Sequence, residues 1–205
     1  MALTPVSVSD RNGASQNMVA FQDAAGNNIP AISLDTSKAT FRASASGVAP
    51  GATPTDFIVV TGSATKTVRI KRIEINGGAT AAGYMVCQLI RRSTAFSGGT
   101  SSAGPVAKLD TNSPAATGAV TYFTGSPTAG TSVASGLLTT QRVTTQAVAT
   151  SGTPGANLIL FDGRNNGQAI VLRGSSDYLG VNFGGAALVA GTVYDFMVEW
   201  EEDGS

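Results

Sequence analysis

Between Thr55 and Gly78 the chain reads TDFIVVTGSATKTVRIKRIEINGG, and its apolar positions follow two different patterns. Phe57 to Val60 is an unbroken apolar run. After the Gly-containing stretch Thr61 to Lys66, apolar residues return at alternate positions, Val68 and Ile70. A short continuous run followed by period-two alternation predicts two strands joined as a hairpin. The alternation then slips, because Ile73 and Ile75 are out of phase with Val68 and Ile70, and the extra residue falls at Lys71-Arg72. A strict strand would put one apolar pair in water. A β-bulge at Lys71-Arg72 keeps all four on the core face and bends the strand as a sandwich requires.

The same reading carries through the chain. Asn76-Gly-Gly78 is expected as a turn, and Tyr84 to Arg92 (YMVCQLIRR) as a central strand covered on both sides. Ser93 to Gly104 reads as a long loop, Pro105 to Asp110 as a weak edge strand and Ala119 to Thr124 as a strand. Val133 to Val148 is one long polar-faced strand or two short ones. Asn157 to Phe161, Ala169 to Arg173, Tyr178 to Phe183 and Thr192 to Glu201 are short β-rich runs between turn residues. The last places Tyr194, Phe196, Val198 and Trp200 on one face and Asp195, Met197, Glu199 and Glu201 on the other, a half-buried terminal strand. Eight or nine strands without helical periodicity predict an all-β, two-sheet β-sandwich, with a jelly roll as the commonest way to close it.

Residues 1–45 differ in texture. Short apolar islands are broken by Asp10-Arg-Asn-Gly13 and Asp23-Ala-Ala-Gly-Asn-Asn28, which predicts an extended N-terminal arm for docking or assembly rather than a disordered leader. Residues 46–55, inside the Pro/Gly-rich stretch Ser44 to Thr55, read as a linker, so the compact domain is expected over 56–205.

Composition narrows the function classes. Apolar residues make up 42% of the chain, enough for a core, while charged residues are 13%, about half the usual share of ~25%. Gly, Ala, Ser and Thr fill nearly half of the sequence, giving a flat, weakly charged surface suited to packing against protein. Thirteen basic and thirteen acidic residues balance, which argues against nucleic acid as a partner. The N-terminus lacks a charged start followed by an apolar run, and no window approaches a membrane span, so neither signal-directed export nor membrane insertion is expected. The single cysteine, Cys87, lies within an apolar strand pattern and reads as a buried structural thiol.

There is no histidine, which removes His-based triads and His-ligated zinc. Gly-rich pieces such as Phe96-Ser-Gly-Gly-Thr100 and Asp162-Gly-Arg-Asn-Asn-Gly167 lie between strands and read as turns rather than phosphate loops. A glycosidase-like carboxylate set of Glu199 and Glu201 with Asp195 nearby, and a calcium site at Asp162, Asn165 and Asn166, are outweighed by solvated-strand and turn readings. No catalytic, cofactor-binding or metal residues are therefore assigned, and no cofactor is expected. One asymmetry stands out. Lys66, Arg69, Lys71, Arg72, Arg91 and Arg92 gather in the early strands, while Asp195, Glu199, Glu201, Glu202 and Asp203 gather at the C-terminus. Either these charges pair across one sheet, or Lys66, Arg69, Lys71, Arg72, Arg91, Arg92, Asp195, Glu199 and Glu201 meet between subunits. Pairing within the chain needs nothing beyond a normal fold and ranks first.

An arm containing DAAGNNIPA, followed by TDFIVVTGSATKTVRIKRIEI, QAIVLRGSSDYLGVNFGGAAL and YDFMVEWEE, resembles a class of small virion structural proteins of tailed bacteriophages, over about Ser33 to Asp203. The resemblance rests on strand and turn patterns and transfers no site residues. It implies a non-enzymatic protein located in the virion, a capsid decoration or cement protein docking through its arm. The alternatives are a neck, tail-fibre or baseplate component, or a carbohydrate- or receptor-binding module. It also implies a homo-oligomer, with a trimer first, and other virion proteins (major capsid, neck or tail) as partners. Tyr84, Phe96, Tyr122 and Tyr178 are the aromatics free to line a sugar groove.

Overall fold

A computed structural model describes residues 38–145, 158–164 and 167–204, together with four short strands within residues 1–37. The chain divides into two compact units, Met1–Ser37 and Lys38–Ser205. In the first, β1 (Pro5–Ser9) pairs antiparallel with β2 (Ser15–Val19), and β3 (Phe21–Gln22) with β4 (Asn28–Ile29). The second unit is all-β and antiparallel, two sheets face to face. Its strands are β5 (Ala39–Val48), β6 (Asp56–Thr61), β7 (Lys66–Gly78), β8 (Gly83–Arg92), β9 (Ser101–Ala103), β10 (Val106–Lys108), β11 (Ala119–Phe123), β12 (Ser132–Thr145), β13 (Leu158–Asp162), β14 (Ile170–Arg173), β15 (Tyr178–Asn182) and β16 (Val193–Gly204). One sheet runs β10-β5-β16-β7-β13, with β14 also on β7, and the other runs β12-β8-β15-β6-β11-β9. No helix among the described residues is long and apolar enough to cross a membrane.

The sequence periodicity sets the core. On β7 the residues Val68, Ile70, Ile73 and Ile75 are all buried, and the pairing with β16 jumps from Glu199↔Arg72 to Trp200↔Ile70. Lys71 is thus the extra residue, and the expected bulge is present. On β16 the side chains of Tyr194, Phe196, Val198 and Trp200 are buried as the alternation predicts.

Several expectations are corrected. β6 and β7 do not form a hairpin; they belong to different sheets. Ser63 Oγ accepts hydrogen bonds from the Thr65 and Lys66 backbone N–H groups (3.1 Å each) and turns the chain across the sandwich. The unbroken apolar run of β6 sets its interior place, between β15 and β11, without naming its neighbours: Phe57, Ile58, Val59 and Val60 are all at most 1% exposed, as in a strand covered on both faces. Asn76-Gly-Gly78 is not a turn but the end of β7. A Cβ on Gly77 would lie 2.4 Å from the Tyr194 ring, so the glycine provides room for close approach. β8 is interior to its sheet but covered on one face only, with Tyr84 and Val86 exposed. Ser101–Ala103, expected as loop, pairs with β11. β12 is one strand with register breaks either side of Leu137; Val148 lies outside the described residues.

The unit boundary moves most. The compact domain begins at Lys38 rather than residue 56, because β5 fills a place beside β16 and buries Phe41 and Ala43 completely. Ser46 to Val48 belong to this strand, not to a linker. The small residues of Ser44 to Thr55, read as a boundary, serve a bulge in which Gly47 adopts φ 66° and donates its N–H to Asp195 Oδ1 (2.8 Å). Deleting residues 1–37 is expected to leave a folded sandwich. Deleting 1–45 removes Phe41, whose loss alone costs about 3–5 kcal/mol, and should abolish the cooperative thermal transition followed by circular dichroism.

Candidate functional site

The outer face of the first sheet carries a dense group of ion pairs. Bulging at Lys71 aligns β7 with β16, so on this face Arg69 Nε lies 2.7 Å from Asp203 Oδ2 and Lys71 Nζ 3.7 Å from Glu201 Oε1, while on the inner side Lys66 Nζ lies 3.9 Å from the buried Glu202 Oε2. Glu199 binds Arg42 on the other neighbouring strand (2.6 Å), and Lys38 reaches Asp203 (3.6 Å). Arg72 pairs with Glu74 and with Asp162 (2.7 Å). The cross-strand reading therefore describes Lys66, Arg69 and Lys71. Arg91 and Arg92 are in the other sheet and meet none of the C-terminal acids. Arg91 Nη2 donates to Asp177 Oδ2 (2.8 Å) and to the Val171 carbonyl (3.0 Å). Each of the nine residues singled out as a possible subunit contact has a partner within its own chain.

Arg92 heads a buried polar cluster that sequence reasoning missed. Its side chain reaches from β8 across β15 to β6, where Nη2 donates to Asp56 Oδ1 (2.6 Å). Asn182 Nδ2 donates to the same oxygen (2.7 Å), and Arg92 Nη1 donates to the Gly130 carbonyl (2.8 Å) and Ser132 Oγ (3.1 Å). Asp56 is fully buried and Arg92 5% exposed. Gly180 makes the crossing possible, since a Cβ there would lie 3.0 Å from Asp56 Oδ1 and 3.2 Å from Arg92 Nε. The signal was available: a glycine inside a strand pattern marks close approach of another group. Through Gly130 the cluster anchors the connections 93–100 and 124–131, which bond to each other at Ser97 and Thr128 and through Ser93 to Thr131. Phe96 on the first connection packs edge-on against Phe123 (4.7 Å).

Glu202 forms the second buried site. Continuing the inward alternation of β16, it is fully buried and accepts hydrogen bonds from the Gly118 N–H (2.8 Å), Trp200 Nε1 (3.0 Å), the Thr117 hydroxyl (2.7 Å) and the Thr117 N–H (2.9 Å). Burial on its own would raise the carboxyl pKa. The four donors outweigh it and hold the group below the ordinary glutamate value. This carboxylate ties the segment before β11 to the end of the last strand.

The other candidates have less chemistry to offer. Glu199 and Glu201 stand on a sheet face, each neutralised by a cation. The depression beside Asp195, lined by Glu74, Asn76, Phe196 and Met197, holds about 110 Å³, below the ~300 Å³ at which small-molecule pockets begin. A larger hollow of about 330 Å³ is lined by Gly104, Val106, Lys108, Ala116, Gly118 and Val120, without a carboxylate. Burial pushes the Cys87 thiol up to about 12, so it stays protonated and is no nucleophile. Asp162 is engaged by Arg72 and by Arg164 (3.0 Å), while Asn165 and Asn166 lie outside the described residues. Among the described residues no group of His, Cys, Asp or Glu is arranged to hold a metal ion. Of the four aromatics expected to be free, Phe96 packs on Phe123, Tyr122 on Phe196 (5.5 Å), and Tyr178 is half-buried. Only Tyr84 is exposed, and Arg142 covers its ring at 4.4 Å.

Two outcomes follow. Asp56→Ala leaves Arg92 buried without its counter-charge and should cost about 3–5 kcal/mol in denaturant unfolding. For Glu202 the folded-state pKa is the lower one, so its contribution is full above the unfolded-state pKa and is lost as pH falls through the folded value. Wild type should lose stability on acidification below the ordinary glutamate range, whereas Glu202→Gln should be less stable near neutral pH and show a flatter acid limb in pH-dependent melts.

No family model, no curated protein and no solved structure matches this chain.

Proposed function

We propose that this chain is a non-enzymatic structural protein of a tailed-bacteriophage virion, a decoration or cement protein that docks on the capsid through residues 1–37. The observation that carries this reading is how the polar chemistry is used. The cations and carboxylates on the outer face of the β5-β16-β7 sheet neutralise one another, and the buried ones brace connections. Such a molecule offers flat sheet faces and edges, the currency of assembly rather than turnover. An N-terminal unit distinct from the sandwich supports docking by that segment.

Strand order supports a jelly roll within this reading. With the insertion β9 to β11 set aside, the sheets are β5-β16-β7-β13 and β6-β15-β8-β12. The first strand lies beside the last, and successive strands alternate between sheets except for β8 and β12, which are neighbours in one sheet, and β13 and β14, which both lie on β7, an order that fits the double-sheet folds common among capsid proteins. The protein then works in the virion as a homo-oligomer, for which a trimer is the first expectation, with the major capsid, neck or tail protein as its neighbour. A neck, tail-fibre or baseplate position uses the same features. A carbohydrate-binding module is less supported, because only one of the four candidate aromatics is exposed.

A chain lacking residues 1–37 should be folded yet missing from purified particles, as read by mass spectrometry of virions and by density lost in a particle reconstruction. Particles carrying the truncated chain at the wild-type level would sink the docking role.

A further inference from the structure

We infer that residues 110–118 form a strap held shut by the ionised Glu202, and that neutralising this carboxylate opens the strap while the two sheets stay intact. The strap crosses from one sheet to the other. Just before it, past the end of β10, the Leu109 N–H donates to the Thr40 carbonyl (3.0 Å), and just after it the chain enters β11 of the second sheet. Between these points it pairs with no strand. The N–H groups of Asn112 and Ser113 turn back to Asp110, on Oδ1 (2.9 Å) and the carbonyl (3.0 Å). Among the described residues, every hydrogen bond from the strap to another element ends on Glu202: from the Thr117 N–H to both oxygens (2.9 and 3.0 Å), from the Thr117 hydroxyl (2.7 Å) and from the Gly118 N–H (2.8 Å). Apolar packing adds little. Ala116 lies against the core, while Pro114 and Ala115 are exposed.

A segment tied at so few points opens at a lower free-energy cost than the sheets it joins. That cost depends on the charge. Hydrogen bonds to an ionised carboxylate are roughly twice as strong as neutral ones, and a proton on either oxygen turns an acceptor into a donor. Among the described residues Glu202 has one cation within ion-pair distance, Lys66 Nζ of β7 at 3.9 Å. On β5 Ala39 stands opposite, and Lys38 is turned to Asp203 (3.6 Å), which also binds Arg69. On β16 itself Glu201 faces outward to Lys71. The strap's own Asp110 caps Asn112, the exposed Lys108 ends β10, and β11 has no charged residue. Burial favours the protonated form of Glu202 and the donors favour the charged one. The donors prevail, so the strap stays shut through the ordinary glutamate range and opens as pH falls below it.

Opening enlarges the hollow beside the strap. Ala115, Ala116 and Gly118 line that space of about 330 Å³ together with Val106, Lys108 and Val120. Gly118 also sits against β7, where a Cβ on it would lie 3.0 Å from Val68 Cγ2. Moving the strap away bares Val68 and Val120, which are 0% and 2% exposed when it is shut. The last strand stays in place, because β16 is paired along its length with β5 on one side and β7 on the other. Trp200 Nε1 (3.0 Å) remains a donor to Glu202 from the same strand in either state.

Hydrogen exchange on the full-length protein, corrected for the intrinsic pH dependence of amide exchange, separates strap from sheets. In the wild type the amides of Thr117 and Gly118 should be protected near neutral pH. Glu202→Gln should lower that protection about tenfold or more at the same pH, the loss of one charge-assisted hydrogen bond. Acidifying the wild type below the ordinary glutamate range should do the same, with the amides of β7 and β16 still protected. Thr117→Val, at an exposed position, removes only the hydroxyl donor and should lower strap protection with the β16 amides unchanged. If Glu202→Gln does not fold, this variant and the wild-type acid titration decide. Loss of strap and β16 protection at one and the same pH overturns the proposal. So does strap protection that neither substitution alters, or a wild-type strap whose two amides exchange freely near neutral pH.

Discussion

The sandwich is closed by its last strand. β16 lies between β5 and β7, and its inward side chains hold both sheets together. Trp200 packs on Phe41 of β5 at 5.7 Å, and Tyr194 lies 5.4 Å from Phe57 of β6 in the opposite sheet and 5.2 Å from Phe183, just past the end of β15 in that sheet. Each of these rings is at most 1% exposed, so each is at once a neighbour of β16 and a filler of the space between the layers. Two features of the flanking strands exist because of this. Lys71 is extruded as a bulge so that Ile70 and Ile73 can both face Trp200 and its neighbours, and Gly77 lacks a side chain because the Tyr194 ring occupies that space.

What the sequence made legible follows from how local each signal is. The slip between Ile70 and Ile73 is a statement about one strand, and it located the bulge to Lys71-Arg72, of which the structure makes Lys71 the extra residue. The alternation from Tyr194 to Trp200 likewise named the buried face. Which strands neighbour one another is less legible. Phe57 to Val60 carries no information on whether the next strand lies beside it or across from it, and the Gly-containing connection suits either; Ser63, whose hydroxyl caps the turn, decided for the crossing. Ala39 to Val48 reads as arm and linker because Ala, Ser and Gly give little apolar periodicity. The strand is held instead by backbone pairing on both sides and by Phe41.

The charges divide in the same way. Their types and clustering were visible, and for Lys66, Arg69 and Lys71 the cross-strand pairing followed. Arg91 and Arg92 sit at the end of a strand in the other sheet, where adjacency in sequence says nothing about partners. Arg92 is the instructive case. A buried guanidinium is tolerated because Asp56, Asn182, Gly130 and Ser132 surround it, and those four come from chain segments up to 126 residues apart. No local pattern contains that arrangement, although a strand-interior glycine at 180 was its one visible trace.

The sorting of charge between strands bears on which strands can pair. β5 and β7 come early in the chain, while β16 comes last, and the Arg42–Glu199 pair closes over 157 residues. Pairings this distant form late, because loop closure costs conformational entropy before contacts repay it. Until then β5 and β7 would each show an unpaired edge facing an empty slot. Lys38 and Arg42 stand at one side of that slot, and Lys66, Arg69, Lys71 and Arg72 at the other. Cations on both edges oppose direct β5–β7 pairing, and they oppose β7 of one chain pairing with β7 of another, since like charges opposite each other destabilise a ladder. The strand that carries Asp195, Glu199, Glu201, Glu202 and Asp203 meets no such barrier. Exposed pairs of this kind add only about 0.2–1 kcal/mol each to the finished fold. By the same rule of like charge the central place suits β16, whose acids face cations on both neighbours, better than a second copy of β5 or β7.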